Sequence, residues 1–372
     1  MAVSTDIIVI GAGIAGVSAA AELAATARVI VLEREPQPGY HATGRSAAFF
    51  VSSYGNAAVR AVTAMGEPFY RSPPQGFSDV PLLRPRPCIF FGRPDQHEAL
   101  LSFHKEVPSL RRLSAEQVRE RVPIILPGYL EAGLLDKTGG DLDVDAILQG
   151  FLRRLRERGG KLYPRREVQG LSRSDGLWRV TSGNETLTAP LLVNAAGAWV
   201  DEIARLAGLE PLGLQPKRRT AMLLDAPQGR DISAWPLMVN VEEEFYFKPD
   251  AGALLLSPAD ETPSPPCDAQ PEELDVALAV DRFETATGLE VPRVTHRWAG
   301  LRTFAPDKTF VVGFDPRTEG FFWLAGQGGY GVQTSPGMAQ LTTSLITGSS
   351  PRKLAGMEKS LIEQLAPDRL LK

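Results

Sequence analysis

Cysteine is scarce in this chain of 372 residues: Cys88 and Cys267 are the only two, and they stand far apart. That excludes a disulfide framework and any zinc site built mainly on thiolates, and it fits a reducing, cytoplasmic setting. The four histidines, His41, His97, His104 and His296, fall at no metal-ligand spacing, so no bound metal is expected. A surplus of basic charge is also missing: the formal net charge is -4, which leaves no general attraction to nucleic acid or anionic lipid. No like-charge tract, low-complexity segment or fixed-period repeat occurs, which excludes a disordered, fibrous or coiled-coil chain. Hydrophobic residues at 43 % and charged residues at 23 % are those of a globular protein, and the length suits two domains. No apolar run is long enough to span a bilayer. The apolar opening, Ile7 to Ala25, has no basic leader and is interrupted by Glu22 and three glycines, so it reads as a buried strand and helix.

What the sequence does contain is a run of organised segments. Asp6 to Ile10 is β-branched without alternation, as expected of a parallel strand buried on both faces. A glycine-rich turn, a helix over Val17 to Ala25 and a second strand over Arg28 to Leu32, ending at Glu33, complete a βαβ unit. Asp143 to Arg158 places Ile147, Phe151 and Leu155 at i, i+4 and i+8, a helix with one buried face that Gly159-Gly160 ends. Strands are expected at Leu177 to Thr181, Leu187 to Asn194, Thr220 to Leu224, Glu244 to Lys248 and Ala253 to Leu256. Residues 258–272, rich in Pro, Asp, Glu and Ser, read as a surface connection before a helix over Glu272 to Thr285. The chain ends as it began, with strands Thr309 to Val312 and Phe321 to Leu324, a glycine-rich turn, and a helix from Val332 to Ile346. The pattern implies a dinucleotide domain built from the start, a middle piece and the end, with a β-rich domain inserted twice.

Gly11, Gly13 and Gly16 follow the first strand directly and open the helix, and Glu33 ends the next strand. At that spacing the first glycine permits the tight turn, the second lets the backbone approach a pyrophosphate, and the third lets helix and strand pack closely. The helix N-terminus favours the phosphates, and Glu33 would accept hydrogen bonds from a ribose diol. These glycines do not separate FAD from NAD. Two later segments favour FAD: Thr43-Gly-Arg-Ser-Ala-Ala48, small residues suited to close approach along a long cofactor, and Gly326-Gln-Gly-Gly-Tyr-Gly331, which opens a helix whose positive end suits an anionic reduced flavin.

Together with Asn194-Ala-Ala-Gly-Ala-Trp199, Gly300-Leu-Arg302 and Gly326 to Gln333, the opening motif resembles the FAD-dependent D-amino acid oxidase superfamily, in its glycine and D-amino acid dehydrogenase branch. Residues 37–48, 211–219 and 245–250 are most similar to bacterial D-arginine dehydrogenases. The resemblance implies an α/β, two-domain FAD-binding fold. Its Rossmann-like dinucleotide domain would take residues 1–80, 136–213 and 300–372, and a β-rich substrate domain residues 81–135 and 214–299. It places Gly11, Gly13, Ile14, Ala15 and Gly16 at the pyrophosphate and Glu33 and Arg34 at the adenosine. Thr43, Gly44, Arg45, Ser46, Ala47 and Ala48 would run along the cofactor, with Val168 bonding through its backbone. Ala196, Gly197, Trp199, Gly300, Gly328, Tyr330, Gly331 and Val332 would complete the contacts. No cysteine stands near Gly300 to Thr303, where relatives with covalent flavin carry one, so noncovalent FAD is expected.

For the substrate, the resemblance implies a carboxylate clamp of Arg219 and Arg302, since a guanidinium binds a carboxylate through two parallel hydrogen bonds. Tyr246 would add its hydroxyl, Tyr54 would sit on a covering loop beside Gly55, Gly329 would offer its carbonyl to the amine, and Gln333 would lie near the pocket. The chain departs from arginine-specific relatives at Phe49 and Cys88, where they carry histidine and the glutamate that pairs with a guanidinium. With Phe50, Ile89, Phe90 and Leu237 nearby, the expectation is oxidative deamination of neutral D-amino acids in preference to D-arginine, by hydride transfer to flavin N5. The alternative is oxidation of secondary amines such as sarcosine or cyclic imino acids. A flavin subunit active only with a partner is a third reading. The sequence leaves open O2 or a quinone as electron acceptor, and monomer or homodimer as assembly.

Overall fold

The computed structural model describes residues 3–349 and 359–371. Residues 1, 2, 350–358 and 372, which the expected FAD-binding segments include, lie outside the described residues.

Strand Ile7–Ile10 is buried at every position, as a β-branched run covered on both faces must be. It is central to a six-stranded sheet in the order 161–163, 29–32, 7–10, 191–194, 321–325, 311–314, parallel except for the last joint. The sheet therefore gathers strands from the start, middle and end of the chain. The first helix begins at Ile14, three residues before the sequence expectation, because Gly13 is already its N-cap. The helix Val144–Glu157 starts where Asp143 caps it, the carboxylate accepting from the Ala146 N–H at 2.9 Å. It ends as expected, Gly159 following the C-cap at a φ of 80°.

The second large sheet has nine strands, in which Val294–Phe304 pairs along the full length of Gln215–Leu224. Period-two alternation divides its side chains between two faces. One face, with Met222, Phe245 and Phe247, is covered by the helix Glu273–Thr287 through Val276 and Phe283. The other carries Tyr246, Leu237, Cys88 and Phe90. A small sheet of Phe49–Phe50, Gly140–Leu142 and Leu83–Pro85 lies at the junction of the two parts of the chain.

Three sequence expectations need correction. The run Leu187 to Asn194 is two strands, Glu185–Ala189 and Leu191–Asn194, in different sheets. Pro190 stands at the break, where it cannot donate a ladder hydrogen bond. The strand expected from Thr309 is Val311–Phe314, since Thr309 instead takes up the Asp307 side chain. Residues 258–272 are more than a surface connection: Thr262–Pro263 pairs with Lys217 and Arg218, and Ala259 and Ala269 are buried. No helix of the described residues is long and apolar enough to cross a membrane.

Helices Ala57–Arg71 and Gly331–Thr347 cross with their backbones in contact. A Cβ at Gly337 would collide with the Val62 carbonyl and meet the Gly66 nitrogen at 3.1 Å. Gly337→Ala should therefore cost about 2 kcal/mol through overpacking and displace the glycine turn at the helix start. Urea unfolding with and without FAD would read both effects, and an unchanged midpoint would refute the contact.

Candidate active site

A deep cleft runs from the glycine motif to the edge of the nine-stranded sheet, where Arg219, Tyr246 and Arg302 line its far end. At the near end, Gly11 has a φ of 102° and leaves no room for a Cβ against Ala195, and a Cβ on Gly16 would collide with Gly11. The strand, turn and helix thus pack at van der Waals limits, which is the role expected of the first and third glycines. Gly13 differs. A Cβ there would meet only Thr43 Oγ1, at 3.5 Å, so its face is open towards the cleft. The Ile14 N–H donates to Thr43 Oγ1 at 3.0 Å, and no acidic side chain stands in the first turn to compete with an anion.

Glu33 is buried and already oriented: Oε2 accepts from the Ala12 N–H at 2.7 Å and Oε1 from the Glu35 N–H at 2.8 Å. Burial raises its pKa above the usual carboxylate value, and those two N–H donors counteract the shift. Beyond it, the Trp199 ring lies between the Arg34 guanidinium and the His41 ring, each 4.7 Å away. Arg45 donates to the carbonyls of Ala269 and Ala299 and pairs with Asp268, tying residues 268–269 over the cleft.

At the far end, Arg302 is partly buried, and its guanidinium makes no hydrogen bond or ion pair with another described residue. Glycine is required beside it: a Cβ on Gly329 would stand 2.7 Å from Arg302 Nη1, and a Cβ on Gly328 would enter the Phe304 ring. Burial works against the charged form of Arg302, but Tyr246, Tyr54 and Glu243 outweigh it and raise its pKa. Arg219 is partnered on one side only. Its Nε donates to the Asp260 carbonyl at 2.8 Å, and Nη2 lies 3.4 Å from Glu261 Oε1. Tyr54 donates to Glu243 Oε2 at 3.2 Å and packs edge-on against Tyr330. Burial first, then Glu243 and Tyr330, push the Tyr54 phenol well above its ordinary value, and burial with Glu243 pushes Tyr330 up to about 12.

Most of the residues expected from sequence line this one cleft: Gly11, Ile14, Ala15, Arg34, Ser46, Ala47, Val168, Ala196, Gly197, Gly300, Gly331 and Val332 among them. Gly16, Gly44, Ala48, Tyr54, Tyr330 and Gln333 are not in its lining. Gly44 hydrogen-bonds back to Gly39, Ala48 holds a φ of 56°, and Gln333 is buried with its amide on Val51 and Thr63. Phe49 and Cys88 are not in the lining of this cleft. Cys88 is sealed in an apolar cluster with Val51, Phe90, Leu237 and Tyr246, and burial raises its pKa well above the ordinary thiol value. Cys267, given no role from sequence, does line the cleft beside Ala269. Sequence reasoning missed Glu243, Asp260, Glu261 and Asp136. Asp136 pairs in register with Cys88 and accepts from Ser52, Ser53 and Thr138. Only the left-handed backbone at Glu243 and Ala259, φ of 56° and 53°, marks two of these turns, and no sequence pattern announces it.

Comparisons agree with this geometry. The family model of FAD dependent oxidoreductases (DAO) matches residues 6–345. Glycine oxidase of Pseudomonas putida is 24 % identical, covering 94 % of this chain and 96 % of its own length. Among solved structures, L-proline dehydrogenase from P. horikoshii superposes with a TM-score of 0.84 at 20 % identity, covering 99 % of this chain and 98 % of its own. Glycine oxidase from Geobacillus kaustophilus gives 0.82 at 18 %, covering 94 % and 96 %. The open face of Gly13, the oriented Glu33 carboxylate and the glycine turn before Gly331 fit FAD, and the chain belongs to the FAD dependent oxidoreductase (DAO) family.

Proposed function

We propose that the protein oxidises the Cα–N bond of neutral D-amino acids, giving imino acids that hydrolyse to 2-oxo acids. The observation that carries this reading is the Arg302 guanidinium, charged, partly buried and without a partner among the described residues, in the FAD cleft. Such a group costs several kcal/mol to leave unpaired and is matched in shape and charge by a substrate carboxylate. FAD, held noncovalently along the cleft, supplies the hydride acceptor when bound.

The chain's own residues bind and orient. Arg302 takes the carboxylate through its free fork, Arg219 adds the N–H groups that Asp260 and Glu261 leave open, and Tyr246 contributes its hydroxyl. The Gly329 carbonyl receives an amine N–H, and a neutral amine needs no dedicated base once its proton has gone to solvent. Tyr54, held by Glu243, packs with Tyr330 next to the clamp, where both act on the Arg302 charge.

Cys88, which takes the place of the guanidinium-pairing glutamate of arginine-specific relatives, is sealed behind the cleft and offers a substrate guanidinium no partner. The one carboxylate next to Cys88 in the sheet is Asp136, and its oxygens already accept from the Ser53 hydroxyl at 2.6 Å and from Thr138 N and Oγ1 at 2.8 and 2.6 Å. No free acceptor thus stands at this position for a substrate guanidinium, so the resemblance of residues 37–48, 211–219 and 245–250 to D-arginine dehydrogenases supports the reaction more than that substrate. A second reading, oxidation of glycine or secondary amines, uses the same clamp and is favoured by the glycine oxidase and L-proline dehydrogenase likenesses.

Three outcomes test these readings. Anaerobic mixing should bleach the flavin faster with D-leucine or D-phenylalanine than with D-arginine; bleaching by sarcosine or proline alone would replace the first reading with the second. Arg302→Met should lower kcat/KM about a hundredfold or more, as expected for losing a charged hydrogen-bond partner, and a fall below about tenfold counts against the clamp. With Tyr54 and Tyr330 pushed above their ordinary range, both phenols stay neutral and Arg302 stays charged, so kcat/KM should rise as the substrate amine deprotonates and show no descending limb up to about pH 10. A descending limb at lower pH would contradict it.

A further inference from the structure

We propose that Glu261 is an internal competitor for Arg219, released from it but retained by two lysines when a substrate carboxylate binds; the proposal rests on the carboxylate clamp described above. Lys217, Arg219 and Arg302 share one face of the paired strands, Lys217 directly opposite Arg302 and Arg219 opposite Gly300. Three cations at that spacing repel one another. Glu261 is the carboxylate placed among them. Its Oε1 stands 3.4 Å from Arg219 Nη2, while its Oε2 accepts from Lys217 Nζ at 2.9 Å and Lys308 Nζ at 3.1 Å.

The contacts are unequal. The two lysine bonds are of ordinary length, whereas the Arg219 contact is long and made by the other oxygen. Burial opposes ionisation of Glu261, but Lys217 and Lys308 outweigh it and hold its carboxyl below the usual range. Both ammonium groups also lie over the Phe304 ring, at 5.5 and 5.8 Å, which keeps them in reach. Asp260 does not compete, because its carboxylate caps the Thr220 N–H at 2.6 Å and its hydroxyl at 3.1 Å. Arg219 is thus anchored through Nε by the Asp260 carbonyl, and Glu261 alone can leave it. Arrival of a substrate carboxylate replaces the 3.4 Å contact, and Glu261 keeps its two lysine bonds throughout.

Propanoate binding to the FAD-loaded protein, followed by calorimetry and by the flavin absorbance change, tests this without turnover. Glu261→Gln should tighten propanoate about fivefold, the scale of a partly exposed ion pair. Lys217→Met with Lys308→Met should weaken it about fivefold, because Glu261 is then left to Arg219 alone. In the Glu261→Gln background the same lysine changes should do little. A merely structural Glu261 would weaken binding on removal, and lysines acting by their own field would weaken it in either background; each result overturns the proposal. Wild-type protein that binds no propanoate would instead overturn the clamp itself.

Discussion

A guanidinium held partly buried with no ion pair among the described residues constrains everything around it. Arg302 keeps its charge because Tyr246, Tyr54 and Glu243 favour the cation, yet no hydrogen bond or ion pair to a described residue closes its fork. Holding that fork still falls to the backbone: Gly329 lies flat against the guanidinium, and Gly328 against Phe304, so neither position admits a side chain. The turn they form opens the helix Gly331–Thr347, whose packing on Ala57–Arg71 through Gly337 and Gly66 fixes the turn in turn. An uncompensated charge in a low-dielectric site is expensive, and rigid surroundings prevent it from relaxing into solvent.

The parts of this arrangement written locally could be read from the sequence. Gly11, Gly13, Gly16 and Glu33 are set by a single βαβ unit, and helix Val144–Glu157 by its own periodicity and caps. Cleft residues farther along, such as Arg219, Tyr246 and Arg302, came from the family resemblance, and the structure brings all three to one end of one cleft. The resemblance also gave Tyr54 and Gln333, but not what they touch. Tyr54 meets Glu243 across 189 residues and Gln333 meets Val51 across 282, contacts that only the tertiary fold creates.

Where the sequence misled, a local preference had a competing global one. The apolar, β-rich run from Leu187 to Asn194 has no internal polarity change, and only Pro190 marks the place where the chain leaves one sheet for another. Acidic residues in a polar, proline-rich connection read as solvated charges. Asp260 and Glu261 belong to such a segment, yet a left-handed residue at Ala259 turns them back onto Arg219.

The two arginines of the clamp are therefore unequal for an electrostatic reason. Two bare guanidinium groups beside Lys217 would repel one another whenever the site holds no anion. Compensating both within the protein would leave nothing for the substrate to neutralise. The chain compensates one: Arg219 has a carbonyl on Nε and a shared carboxylate near Nη2, while Arg302 has neither. On the proposed reading, a substrate monocarboxylate would complete the charge balance of the site, and that balance, rather than the number of hydrogen bonds, would select an amino acid carboxylate.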